Sequence, residues 1–187
     1  MLAQLKSIKL ENTLNQYDAV VNKCRDIFAK KTHDYGTAWR ILRTSSLTDQ
    51  IFIKANRIRT IQMTGVNRVE ESTEDAFIAI VNYAAMALIQ MSIDNYDDLD
   101  IPSEEAISLY REKIQVARDL MEKKNHDYGE AWRDMRVSSL TDLILMKILR
   151  IKQIEDNEGV TKISEGVEGS YLDMLNYSVF ALIQLGE

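Results

Sequence analysis

Apolar residues recur along the whole chain at the three- and four-residue spacing of α-helices, and no stretch shows the alternation typical of strands. The pattern predicts three main helices in each half of the chain. Two segments, FIAIVNYAAMALIQM and YLDMLNYSVFALIQL, are apolar nearly all round, which is typical of the central helix of a bundle. We expect the first helices at roughly 15–31 and 103–125, the second at 46–63 and 139–155, and the third ending near 91 and 185. The predicted fold class is all-α.

The two halves repeat each other. Residues 25–49 match residues 118–142 at 17 of 25 positions, and the match continues through the third helix, where Asn82 meets Asn176. We therefore predict a tandem duplication of a three-to-four-helix unit, packed as a pseudo-twofold helical bundle like a dimer fused into one chain. The expected boundaries are residues 1–93 for the first copy, 94–102 for an acidic linker and 103–187 for the second copy.

A turn that is repeated in both copies joins the first two helices. The motif HDYG places a glycine where a helix ends, and residues 37–42 and 130–135 could form short helical connectors. The motif SSLTD then predicts the start of the second helix. Ser46 and Ser139 have the spacing of capping boxes with the aspartates three residues later.

Composition limits the class of function. The formal net charge of −6 argues against a protein that coats duplex nucleic acid, which requires a basic surface. Apolar runs are too short and too interrupted to predict a membrane span, and the first residues lack the features of a signal peptide. The lone Cys24, expected in the core, fits a reduced cytoplasmic setting.

Acidic side chains gather on one face of the third helix of the second copy. At 100° per residue, Glu165, Glu168, Asp173 and Asn176 fall within an arc of about 140°. Because carboxylates are costly to bury alone, a hard cation such as Mg²⁺ or Mn²⁺ would offset their repulsion and could hold phosphate. For Asp173 the alternative is a salt bridge to a buried lysine or arginine, and for Asn176 a structural hydrogen bond.

The first copy offers a similar but incomplete face. Glu71, Glu74 and Asn82 occupy equivalent positions, Ala79 replaces the deeper aspartate, and Asp75 could partly substitute for it. The three acids are candidate metal ligands. The alternative is that acids near a helix N-terminus interact favourably with the helix dipole.

Basic residues lie on the second helix of each copy. Lys54 and Arg57 are three residues apart on one face, as are Lys147 and Arg150. Lysine and arginine side chains are suited to bind a phosphate chain. The alternative is that they pair with the acids of the third helix, and a metal-bound nucleotide would use both sets together.

The aromatic residues near HDYG are candidates for stacking on a base. Tyr35 with Trp39, and Tyr128 with Trp132, have the side chains required. The alternative is that these rings fill the seam between helices.

The histidine–aspartate pairs of the motif carry a weaker signal. His33-Asp34 and His126-Asp127 suggest a metallohydrolase, but that chemistry needs further histidines that the chain lacks. A zinc site across the pseudo-twofold is a weak possibility, and the two aspartates could instead join a metal site from the helix end.

The motifs together resemble a known family. The string K-x-H-D-Y-G-x-A-W, an L-T-D helix with K-x-x-R, and E-x-x-E followed by D-x-x-N-Y resemble the nucleotide-modification-associated helical domain family, in both copies. More distantly, the architecture is similar to that of all-α nucleoside triphosphate pyrophosphohydrolases of the MazG and dimeric dUTPase type. In those enzymes acidic clusters on two helices bind Mg²⁺ and water attacks the phosphate chain. Here the helix that carries their first acidic pair bears lysine and arginine.

This resemblance, together with the acidic and basic faces, implies a nucleotide-binding protein. The expected activity is Mg-dependent hydrolysis of a nucleoside triphosphate or related nucleotide, with Glu165, Glu168, Asp173 and Lys147 as catalytic residues. The alternative is a helical module that binds a nucleotide or a protein without turnover. The expected partner is a small-molecule nucleotide, and two fused pseudo-dimers could pair again as a homo-dimer.

Overall fold

The chain is all-α, as predicted. The computed structural model describes residues 2–93, 99–157 and 166–186, with side chains from residue 12 onward. Within these ranges six α-helices and two short 3₁₀ helices form, and no strand is present. The α-helices are α1 (Leu2–Tyr35), α2 (Thr44–Thr64), α3 (Thr73–Ser92), α4 (Ser103–Tyr128), α5 (Val137–Asp156) and α6 (Gly166–Gly186), and the 3₁₀ helices are Ala38–Ile41 and Ala131–Asp134.

Helix packing follows the duplication. The two apolar third helices, α3 and α6, pack against each other at the centre, and α2 covers α3 as α5 covers α6. The first helices α1 and α4 pack on each other, and each also contacts the central helix of the other copy. Exchanging α1, α2 and α3 with α4, α5 and α6 leaves this set of contacts unchanged, which is the pattern of a pseudo-twofold bundle.

Two buried asparagines join the copies crosswise. The Tyr17 hydroxyl of α1 donates to Oδ1 of Asn176 on α6 at 2.8 Å, and the Tyr110 hydroxyl of α4 donates to Oδ1 of Asn82 on α3 at 2.7 Å. Each asparagine also donates to a backbone carbonyl of its own first helix, at 3.0 and 3.3 Å. Burial raises the pKa of both tyrosines well above its usual range, so both remain protonated donors. This geometry is that of the structural hydrogen bond weighed for these asparagines.

Three predicted helix starts were wrong. Helix α1 begins at Leu2, well before residue 15, because the preceding segment is rich in Leu, Lys and Gln, which are strong helix formers. Helices α2 and α5 begin before SSLTD, with Arg43 and Arg136 as N-caps that make no side-chain cap bond. At each of these arginines, which lie two residues after a 3₁₀ helix, the backbone is extended. The helix begins at the next residue, so the serines of SSLTD lie within its first turn and do not cap it.

From the sequence, every apolar run was predicted to be too short to span a membrane, and α3 is an exception by length. With 20 residues, α3 is long and apolar enough to cross a bilayer by length and composition. However, 72% of its most apolar window is buried inside the bundle, as expected of a core helix. Cys24 is also fully buried, and desolvation raises the pKa of its thiol to about 12, which fits a small core residue.

Candidate functional site

Asp173 is the centre of a buried ion triad in the second copy. Its side chain on α6 is only 5% exposed. The Nζ atom of Lys147 on α5 lies 2.5 Å from Oδ2, and the Nζ atom of Lys124 on α4 lies 2.7 Å from Oδ1. Lys147 is itself buried. The carboxylate therefore has two cationic partners, which is the salt-bridge alternative weighed for this residue.

The first copy has a cavity at the equivalent place. Ala79 replaces the aspartate, and the counterparts of the two lysines are Lys31 and Lys54. Both lysines line a cavity of about 340 Å³ beside Ala79. We call this space the first-copy cavity, and its polar lining consists of Lys31, Lys54, Glu71, Asp75, Asn82 and Tyr83. The two copies therefore differ at this position: Asp173 binds the two lysines in the second copy, whereas Ala79 lies beside a cavity lined by their counterparts in the first.

One side of the first-copy cavity is an ion-pair network. Lys54 Nζ lies 2.6 Å from Oε1 of Glu71, and Arg57 Nη1 lies 3.5 Å from Oε2. Arg57 also donates to the backbone carbonyl of Glu71 and, at 3.0 Å, to Asn67 Oδ1. This is the acid–base pairing that was the alternative to phosphate binding by Lys54 and Arg57. Lys31, by contrast, is exposed and makes no ion pair with any side chain in the described part of the chain.

The other acids of the first copy have separate partners. Glu74 forms a surface ion pair with Lys23 at 2.5 Å. Asp75 forms a capping box at the start of α3, in which its carboxylate accepts from the Ser72 backbone at 3.0 Å and the Ser72 side chain accepts from the Asp75 backbone. Glu74 does not line the first-copy cavity, whereas Glu71 and Asp75 do. Among the described residues no group of three His, Cys, Asp or Glu side chains is placed to hold a metal ion.

The capping box leads to a stability prediction. The hydrogen bonds from Ser72 lower the pKa of Asp75, so its stabilising effect is present above the pKa of an unfolded aspartate and is lost as pH falls through the folded value. Asp75→Ala should lower the free energy of unfolding by about 1 kcal/mol at neutral pH. Urea unfolding at a series of pH values should show this difference shrinking in acid.

Glu74→Ala is the matched control, because it removes the same charge from the same helical turn without touching the cap. We expect it to change stability by less than about 0.5 kcal/mol. An equal loss in both variants, or a loss for Asp75→Ala that does not vary with pH, would contradict a role specific to the capping box.

The remaining second-copy candidates do not complete a site in the described part of the chain. Glu168 is exposed on the first turn of α6, and Arg150 is half-buried on α5. Glu165 lies outside the described residues, as does the rest of the segment 158–165. Within the described part of the chain, the only contact among the four predicted catalytic residues is the ion pair between Asp173 and Lys147.

The predicted base-stacking pairs are separated. Tyr35 and Tyr128 are 74% and 73% exposed at the ends of the first helices. The tryptophans pack inward instead: Trp132 stacks on Phe180 with ring centroids 4.4 Å apart, and Trp39 packs against the core. None of these four candidates lines the first-copy cavity. The positions of the tryptophans are those of the seam-filling alternative.

The histidine–aspartate pairs are at the surface. His33, Asp34, His126 and Asp127 are all exposed at the C-terminal ends of α1 and α4. His126 Nδ1 lies 3.1 Å from Oδ1 of Asp127, and both line an open hollow of about 580 Å³ along α4. The pairs do not reach the first-copy cavity.

Sequence reasoning missed three features: a second lysine at the site in each copy, an aromatic residue in the cavity wall, and a buried glutamine that binds the 3₁₀ segment. Lys31 and its counterpart Lys124 provide the second cation, and the repeated Lys-Lys before HDYG was the available signal. Tyr83 of the repeated Asn-Tyr pair is the aromatic residue with a polar group in the cavity wall. Gln90, from the repeated ALIQ, donates to the backbone of the 3₁₀ segment through Arg40 and Leu42, at 2.9 and 2.8 Å.

The fold and cavity define a class: an all-α tandem duplication with a first-copy cavity lined by two lysines and two carboxylates. The chain belongs to the family described as Nucleotide modification associated domain 1, which matches residues 31–91 and 124–185. One match lies in each half of the chain, and each begins near the end of the first helix and includes the two lysines and the third helix. The family resemblance seen in the motifs is therefore confirmed.

More distant similarities cover a small part of much longer proteins. The chain is 25% identical over 163 residues to protein translocase subunit SecA of Clostridium botulinum (strain Okra / Type B1), and 24% identical over 163 residues to SecA of Clostridium acetobutylicum. Each match covers 84% of this chain and 18% of the relative, so the chain spans less than a fifth of these relatives' length. No solved structure matches the chain.

Proposed function

We propose that the chain binds a phosphate-bearing nucleotide in the first-copy cavity. The observation that carries the proposal is the difference between the copies: two lysines bind the Asp173 carboxylate in one, and their counterparts face a cavity beside Ala79 in the other. A phosphate group carries the same kind of oxygen ligand as that carboxylate. It would therefore bind Lys31, which makes no ion pair with any described side chain, and would compete with Glu71 for Lys54.

The cavity suits the rest of such a ligand. Its volume of about 340 Å³ lies at the small end of the range of about 300–1,000 Å³ typical of ligand pockets. Tyr83 in the wall offers a half-buried ring on which a base could stack. The family description, which associates these domains with nucleotide modification, is consistent with this ligand class.

A magnesium ion is the second proposed ligand. Mg²⁺ in proteins is commonly bound by one or two carboxylates together with substrate phosphates, and Glu71 and Asp75 line the same cavity. When bound, such an ion neutralises phosphate charge and lowers the pKa of a coordinated water. We propose that the bound nucleotide is a triphosphate or related compound and that it is hydrolysed with Mg²⁺ or Mn²⁺ present.

Binding without turnover is the second candidate. It is favoured by the existing partners of the cavity carboxylates, since Glu71 is paired with Lys54 and Arg57, and Asp75 caps α3. The two candidates share the cavity and differ in whether pyrophosphate is released. A cytoplasmic location and a second pairing of the fused unit remain predictions.

The test uses Lys31→Gln with Lys30→Gln as a matched control, because the two exposed lysines are neighbours and only Lys31 lines the cavity. Calorimetric titration with a panel of nucleoside triphosphates, with and without Mg²⁺, should give about tenfold or greater weakening for Lys31→Gln, since a hydrogen bond to a charged group is lost. Lys30→Gln should bind like the wild type.

Turnover is measured as pyrophosphate release under the same conditions. Release that requires Mg²⁺ and is lost in Lys31→Gln would support hydrolysis, and binding without release would support the second candidate. Absence of binding for every nucleotide, or equal weakening in both lysine variants, would contradict the proposed site.

A further inference from the structure

A second hollow lies where the first helices of the two copies cross. It has a volume of about 340 Å³ and is lined by residues of α1 and α4 alone. The charged residues in its lining are Asp18, Arg25, Arg111 and Arg118. Arg25 and Arg118 also form ion pairs with Asp26 and Glu122, outside the lining, at 2.9 and 3.8 Å.

The pseudo-twofold axis passes through this hollow. At the repeat offset of 93, Asp18 corresponds to Arg111 and Arg25 to Arg118, and the apolar lining residues Val21 and Ile114 also correspond. The two ends of the hollow are therefore built from equivalent positions of the two copies. They differ only in which side chains occupy them.

One end of the hollow is neutralised internally. Arg118 donates to Asp18 through Nε at 2.6 Å and Nη2 at 3.0 Å, a two-pronged pair typical of arginine and carboxylate. At the other end, Arg111 occupies the position equivalent to Asp18, in the same lining as Arg25. Arg25 donates instead to its exposed neighbour Asp26, through Nε at 3.3 Å and Nη2 at 2.9 Å, and Arg111 makes no ion pair with a side chain in the ranges described.

Arg111 therefore adds a positive charge beside Arg25 where the equivalent end of the hollow has a carboxylate, and an anion bound at this end would offset that charge. A planar guanidinium binds phosphate oxygens in the same two-pronged way as a carboxylate. We infer that the Arg25–Arg111 end of this hollow is a second anion site, separate from the first-copy cavity, that binds a phosphate dianion. The phosphate could be free inorganic phosphate or the phosphoryl group of a nucleotide, and both present the same oxygens.

The test replaces the arginine by the residue found at its equivalent position. Arg111→Asp should restore an ion pair with Arg25 and should leave the thermal stability unchanged or raised, while phosphate binding at this end is weakened at least tenfold. Arg68→Asp is the control, because it makes the same charge change at an exposed position away from the hollow. Arg25→Gln is the second variant and should weaken phosphate binding without adding a carboxylate.

Calorimetric titration with inorganic phosphate, at constant ionic strength set by chloride, gives the stoichiometry and affinity. Arg111→Asp should lack one of the phosphate sites of the wild type, and Lys31→Gln should lack a different one. Each proposed site is therefore tested by its own variant. A parallel titration with a nucleoside monophosphate distinguishes the two sources of phosphate. Tighter binding of the monophosphate than of inorganic phosphate would indicate a nucleotide ligand, and the reverse order would indicate free phosphate. Unchanged phosphate binding in Arg111→Asp and Arg25→Gln, or an equal loss in Arg68→Asp, would overturn the inference.

Discussion

Asp173→Ala is expected to lower the free energy of unfolding by about 3–5 kcal/mol at neutral pH, because removing one member of a buried ion pair leaves the other charge without compensation. Lys147 is the group left behind, with its side chain 9% exposed and its Nζ only 2.5 Å from the carboxylate that is removed. Lys124, which is 37% exposed, can turn to solvent and contributes less. Urea unfolding measured by circular dichroism would give the difference.

The same variant should create a ligand site. Without the carboxylate, Lys124 and Lys147 would both lose the anionic partner that they share in the second copy. Inorganic phosphate or pyrophosphate should therefore restore part of the lost stability, and should raise the thermal midpoint of Asp173→Ala more than that of the wild type.

Asp119→Ala serves as the control for this experiment, since it removes an exposed carboxylate from α4. It should change stability little and should not alter the response to phosphate. A loss below about 1 kcal/mol for Asp173→Ala would show that Lys147 does not depend on this partner, contrary to the general cost of an unpaired buried charge.

Ala79→Asp is the reciprocal change and is expected to weaken nucleotide binding by at least tenfold. The new carboxylate would lie between Lys31 and Lys54, as Asp173 lies between its lysines, and would compete with phosphate for both cations. The fold should tolerate the change, because Ala79 is only partly buried and the cavity has room for the side chain. Calorimetric titration with the nucleotide that the wild type binds most tightly would measure the effect.

Ala79→Asn separates charge from volume, since asparagine fills the same space without the negative charge. We expect a smaller loss of affinity for this variant than for Ala79→Asp. Wild-type affinity in Ala79→Asp would exclude the first-copy cavity as the nucleotide site. Combining Ala79→Asp with Asp173→Ala should move binding from the first copy to the second.

The architecture could be predicted from the sequence because the repeat and the helical periodicity are local patterns. The all-round apolar character of FIAIVNYAAMALIQM was sufficient to place α3 at the centre of the bundle. The start of α1 was missed because the segment before residue 15 has helix-forming residues but no clear stop or cap, so periodicity alone did not fix its boundary.

The candidate site was only partly predictable, because it depends on contacts between distant segments. Periodicity placed Asp173 on the acidic face, yet nothing local to α6 identifies Lys124, 49 residues earlier, as its partner. The comparison of the two copies favoured the second copy as the metal site because it retains Asp173, whereas in the structure the cavity lies beside Ala79 of the first copy. The crossed tyrosines were missed for the same reason, since each bonds to the other copy.

The crossed Tyr17–Asn176 and Tyr110–Asn82 bonds bear on how such a chain could have arisen. In a single unit without its copy, the tyrosine hydroxyl and the asparagine oxygen would each lack this partner, and two identical units would supply it to each other. Linking two units in one polypeptide keeps the reciprocal bonds while allowing the two sequences to diverge. One copy can then hold a carboxylate between its two lysines, as at Asp173, while the other has Ala79 at that position.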